Sequence, residues 1–259
     1  MGIFERACVN RKLFLILLLA CILANIASLP YASSLGLLRL EELPIPFPIA
    51  ILVLIIQTAI FSTIAIFFGL FLGKKVGLGA PIMEDWLQKE STGKNLWPIL
   101  KISIVLGVLV GVSLFVLDRS AFGHFIEPVT AFQEKAPLWQ RILVSFYGGI
   151  GEEVFLRLFI MTLIIWIMQR LLRRKDSKFE ALAAWSSIII VSVVFGLGHL
   201  PMTSTFTTIT PLVVIRAIVL NGIAGIVFGW LYWKKGLEAA IISHFSTDIV
   251  LHVILPSLY

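Results

Sequence analysis

"GIGEEVFLRLF", Gly149–Phe159, sets two adjacent glutamates and an arginine inside sequence that otherwise avoids charge. The segment around it, 138–172, is almost wholly apolar, and so are long stretches on either side. Of the 259 residues, 59% are hydrophobic and 14% charged, and the mean hydropathy is +0.99. Soluble domains carry about a quarter charged residues, so a chain this apolar belongs in lipid. Runs of about 18 or more apolar residues, each able to cross a hydrocarbon core of about 30 Å, recur from end to end. The sequence predicts an all-α fold: a polytopic membrane helical bundle of about seven transmembrane helices, near 13–29, 47–72, 98–117, 138–172, 180–199, 209–233 and 237–255.

The fourth segment is long for one straight span, and the glycines of "FYGGIGEE" predict a kink or a re-entrant break there. "LPIPFP" at 43–48 leads into the second span with prolines near the helix start, where a missing N–H is harmless. Trp97, Trp139, Trp230 and Trp233 fall near span ends, where indole favours the interface. The stretch 74–97 is long enough for a short surface helix.

The net charge of +6 reads as topology and not as a nucleic-acid surface, because its residues gather between the apolar runs. Arg6, Arg11 and Lys12, "GKK" at 73–75, "QRLLRRKDSK" at 169–178 and "WKK" at 233–235 fall on one side of the predicted bundle. Arg39, Arg119 and Lys135 are scattered on the other. Lys and Arg accumulate in cytoplasmic loops. The expected arrangement is an integral multi-pass protein of the cell (plasma) membrane, N-terminus cytoplasmic and C-terminus outside. Cys8 and Cys21 are the two cysteines, and Cys21 lies within the first apolar run, which argues against a disulfide framework. That run continues past "LLAC" to Leu29 and reads as a retained first span.

An ionised side chain at the centre of a membrane helix costs about 2.5–3.5 kcal/mol, so each one inside a span is a candidate for function. They are Glu152, Glu153, Arg157, His199, Arg216, His244, Asp248 and His252. Glu153 and Arg157 are four apart, share a helical face and can offset each other's burial. Glu152 is rotated about 100° from that face, which leaves it as the carboxylate for chemistry and a candidate general base. His244, Asp248 and His252 form a polar stripe at intervals of four, and His199, followed by Pro201, sits where a helix ends. His252 and Arg216 read as solvated or headgroup-facing, and His124 as a loop residue. Any one of these groups could be structural. Glutamates, histidines and an aspartate together on three spans point to a reaction site.

"EEVFLR" (Glu152–Arg157), "FGLGH" (Phe195–His199) and "HFSTD" (His244–Asp248) resemble the three signatures of the CPBP intramembrane proteases, E-E-x-x-x-R, F-x-x-x-H and H-x-x-x-N/D. That family holds the type II CAAX prenyl endopeptidases and bacterial relatives linked to bacteriocin processing or immunity. The similarity extends over about 138–259, so 1–259 is expected to be one membrane domain with 1–137 as peripheral spans and 138–259 as the catalytic core. The resemblance implies an endopeptidase acting on a membrane-associated peptide or protein. Glu152 and His199 would activate water, His244 and Asp248 would stabilise the oxyanion, and Glu153 and Arg157 would support the first motif. Position 248 is Asp where the eukaryotic CAAX enzymes have Asn. An ionised Asp cannot donate to an oxyanion, so Asp248 would be protonated, orient His244 or bind metal.

Glu152, His199, His244 and Asp248 also make a mixed N/O set suited to zinc, and the cofactor expectation is Zn2+ or none. The absence of H-E-x-x-H excludes the common zincin arrangement. Two alternatives stand beside the protease: a non-enzymatic scaffold or immunity-type protein with the same fold, and a proton-coupled transporter. No inverted repeat supports the transporter. Counting helical rise from the cytoplasmic ends puts His244 near mid-membrane and Glu152 and His199 nearer the outer side.

Overall fold

The computed structural model describes residues 9–38, 44–88, 96–126, 136–172 and 176–258. Arg6, Cys8, Arg39, Lys135 and the 173–175 part of the basic run lie outside them. Seven helices are long and apolar enough to cross a membrane: α1 (Arg11–Ser34), α2 (Phe47–Val76), α4 (Trp97–Phe122), α5 (Leu138–Leu172), α6 (Ser177–Thr203), α7 (Pro211–Lys235) and α8 (Leu237–Ser257). Between α2 and α4 the short helix α3 (Pro81–Leu87) fills the stretch where the sequence leaves room for one. The described residues contain no strand.

Local chemistry sets the helix ends. Asn10, Asp176 and Thr210 cap α1, α6 and α7 by accepting hydrogen bonds from first-turn N–H groups. α2 stops at Gly77, whose φ of 74° is in the left-handed region open to glycine. Exposed leucines, isoleucines and valines ring the outside of the bundle, where water would forbid them and lipid accepts them. Trp97 and Trp139 are exposed at helix starts, whereas Trp230 and Trp233 pack against the core.

α5 does not break at "FYGGIGEE". It runs through as one helix, and its turns widen to π-helix over Tyr147–Glu152 and Val154–Met161. The glycines are used for close approach instead. Gly148 and Gly149 lie against α8, where a Cβ would meet the Asp248 carboxylate and the backbone of Ile241 and Phe245. A wide turn inserted in a helix shifts the faces of the residues that follow it, and such turns concentrate at functional sites.

Small residues seat the other helices on this frame. α4 lies on α8 through Gly107 and Gly111, spaced as in G-x-x-x-G. A Cβ at Gly107 would strike the Ser243 carbonyl and Ser246, and the Thr247 hydroxyl donates 2.9 Å to the Gly107 carbonyl. α7 lies on α6 in the same manner, with Gly225 against Ser192 and Gly229 against Ile188. Without a hydrophobic drive between helices in lipid, this close packing is a principal source of association. Gly107→Ala is expected to lower the melting temperature of the detergent-solubilised protein, by an overpacking cost of about 1–3 kcal/mol. Gly222→Ala, where a Cβ meets nothing within 4 Å, is the matched substitution expected to leave it unchanged.

Candidate active site

A fully buried ion pair lies at the bottom of the site. Arg157 and Glu153 are each 0% exposed, one turn apart on α5, with Arg157 Nη1 donating 2.8 Å to Glu153 Oε1. The same oxygen lies 2.7 Å from His244 Nδ1 on α8. Arg157 also donates from Nη2 to the Gly225 carbonyl at 3.3 Å, and its guanidinium lies over the rings of Phe195 and Phe228. One carboxylate oxygen thus joins α5 to α8, while the arginine ties the pair to α7 and α6. The His244 ring stacks on Phe228 at 4.5 Å between centroids and meets Phe195 edge-on, so its plane is fixed as well as its tautomer.

With Nδ1 engaged, His244 turns Nε2 to two more carboxylates. Glu152 Oε2 is 3.7 Å away and Asp248 Oδ1 3.6 Å. The adjacent glutamates divide the ring between them, one at each nitrogen. Gly148 makes the arrangement possible, because a Cβ there would fall on the Asp248 carboxylate and 3.1 Å from His244 Nε2.

His199 ends the regular part of α6, as its position before Pro201 predicts. Its Nδ1 is 2.8 Å from the Phe195 carbonyl. A carbonyl only accepts, so a neutral ring bonded this way keeps its lone pair at Nε2. Glu152, His199, His244 and Asp248 all line one cavity of about 330 Å3, and Glu153 and Arg157 lie buried behind it.

Two residues depart from expectation. His252 is not a headgroup-facing side chain: it lines the cavity, its Nε2 lies 3.8 Å from Asp248 Oδ1 and its ring meets Tyr31 edge-on. The stripe along α8 faces inward as far as this third member. Arg216 is not solvated either. It is 5% exposed and grips Asp118 of α4 in a two-bond fork, Nε to Oδ1 at 2.6 Å and Nη2 to Oδ2 at 2.8 Å. Both partners line the cavity. The clue in the sequence is that Asp118 closes one apolar run while Arg216 lies just inside another.

Among the described residues no group of three or more His, Cys, Asp or Glu side chains is arranged to hold a metal ion. Glu152 and Asp248 stand as ion-pair partners of the His244 ring, and the polar contact of His199 is with the backbone of Phe195.

Residues 134–250 match the family model described as type II CAAX prenyl endopeptidase Rce1-like. The segment is similar to an Rce1-like domain. It contains all seven residues of the three motifs and runs from α5 as far as Val250 of α8. The Rce1-like match supports a CAAX-type protease held in a membrane. No curated protein and no solved structure matches the chain.

Within this segment the buried pair is expected to be structural before it is chemical. Arg157→Met leaves Glu153 inside the bundle without its cation. Loss of one partner from a buried pair costs about 3–5 kcal/mol. The expected result is a large loss of folded protein on size-exclusion chromatography in detergent, with Glu152→Gln eluting as wild type.

Proposed function

We propose that the chain is an intramembrane endopeptidase of the cell membrane that hydrolyses a peptide bond in a membrane-associated protein or peptide. The reading rests chiefly on one observation: Glu152, His199, His244 and Asp248 share a single cavity inside a membrane bundle. Amide hydrolysis needs a base, an oxyanion donor and a site shielded from bulk water. Glu152 is the base. Its carboxylate takes a proton from water, and the resulting hydroxide adds to the substrate carbonyl carbon. His199, with its lone pair at Nε2, accepts a hydrogen bond from the same water and orients it.

Addition moves the carbonyl π electrons onto oxygen. His244 as an imidazolium donates from Nε2–H to that oxyanion, while Nδ1–H stays on Glu153. An ionised Asp248 can only accept, so its role is to balance the charge of the ring from 3.6 Å. Collapse of the tetrahedral intermediate breaks the C–N bond, and the proton held by Glu152 passes to the leaving amine. The products are one new carboxyl terminus and one new amino terminus. Every step uses side chains of this chain and one water.

A general base contributes about 10²–10⁴-fold to rate. Glu152→Gln should therefore reduce cleavage by at least 100-fold while insertion and abundance stay at wild-type levels. Peptide termini of membrane proteins are compared between cells carrying each form at matched expression. Termini that require Glu152 identify the substrate. Identical sets of termini overturn the protease reading and leave a scaffold or immunity-type protein.

A further inference from the structure

The cavity is open at one end, and that end lies opposite the basic residues. Its lining comes from the C-terminal parts of α1, α4 and α6, the N-terminal parts of α5 and α7, and α8 from His244 onward. Helices that alternate in direction bring those parts to one side of the bundle. Ser28 and Tyr31, Asp118, Met202 and Thr203 mark it.

The other side is closed by packing. Phe228 forms the floor of the cavity at 0% exposure. Next along α7 comes Tyr232, also 0% exposed, its hydroxyl 2.7 Å from that of Thr162 on α5. The segment leading into α3 lies across the start of α8: the Leu237 N–H donates to the Gly79 carbonyl at 2.9 Å and the Met83 N–H to Glu238 Oε1 at 2.7 Å. A peptide approaching from that side meets a fully packed layer.

Charge assigns the sides. Arg11 and Lys12 begin α1, Lys74 and Lys75 end α2, and Arg170 lies in the last turn of α5. Lys178 begins α6, and Lys234 and Lys235 end α7. All belong to the packed side. On the open side Arg216 is neutralised by Asp118, Arg141 donates to the His252 carbonyl at 3.4 Å, and Arg119, at the end of α4, lies over the Phe115 ring. Membrane proteins retain Lys and Arg on the cytoplasmic side.

We infer that the catalytic cavity opens to the non-cytoplasmic face of the membrane, so that its substrate is a peptide segment presented there: the exposed tail or loop of an already translocated, membrane-anchored polypeptide. The substrate part rests on the protease reading; the side of the opening does not.

The test is thiol labelling in sealed right-side-out vesicles of a bacterial expression host, with Cys8 and Cys21 replaced by Ala. Thr208→Cys sits on the open side in the link between α6 and α7, and Lys178→Cys on the packed side; both positions are exposed. A membrane-impermeant maleimide should label Thr208→Cys in intact vesicles and Lys178→Cys only after detergent. The reverse pattern overturns the inference. Adding Glu152→Gln to each variant should leave labelling unchanged, which separates the two claims. Expected labelling without Glu152-dependent cleavage removes the protease and its substrate but leaves the opening where it is. Reversed labelling with Glu152-dependent cleavage removes the inference alone.

Discussion

Everything in the site depends on the hydrogen bonds that converge on Glu153 Oε1. That one oxygen receives Arg157 from its own helix and His244 from α8, in a place where neither water nor lipid headgroups reach. Remove the carboxylate and a buried guanidinium loses its counter-charge while an imidazole loses the partner that fixes its tautomer. A buried ion pair is a poor source of stability compared with apolar packing of similar volume. Its use here is to specify. It sets which nitrogen of His244 faces the cavity, and it locks the spacing between the helices that carry the two halves of the site.

The same accounting explains how so apolar a chain tolerates its interior charges. Arg157 and Glu153 neutralise each other at the bottom of the cavity, and Arg216 and Asp118 do so in its wall. Most of the other lysines and arginines of the described residues gather at helix ends on the opposite side. Glu152 is treated differently. Its closest ionic partner is His244 Nε2 at 3.7 Å, too far for a strong hydrogen bond, and its side chain keeps 24% exposure to the cavity. A carboxylate held near a partner without being spent on it suits a group that must exchange a proton with a third body.

The spans and the motif residues were legible because both follow from rules that act within one helix. Apolar length gives a crossing, and intervals of four give shared faces for Glu153 with Arg157 and for His244 with Asp248. What stayed hidden depends on packing between helices far apart in sequence. Nothing local says that Glu153 divides itself between Arg157 and His244, or that Asp118 meets Arg216 across 98 positions. His252 looked peripheral because it is close to the end of a span, but α8 turns it toward Asp248. The glycines of "FYGGIGEE" invited a break, since glycine weakens an isolated helix. In the bundle they serve to admit the side chains of α8, and the helix continues through them in wider turns.

Those wider turns carry a mechanical consequence. A regular α-helix sets adjacent side chains about 100° apart, which would send Glu152 and Glu153 to different neighbours. Here both reach the same imidazole, from opposite nitrogens. The π-helical stretch Tyr147–Glu152 ends between them, and Gly148 within it lets the Asp248 carboxylate approach the backbone of α5. The ring is held from behind by an ion pair that never meets solvent and approached from the front by two carboxylates that line the cavity. In the proposed reaction, a rigid back and an adjustable front would allow proton movement at Nε2 and Glu152 without disturbing the helices, because the charges that hold the helices together are on the other side of the ring.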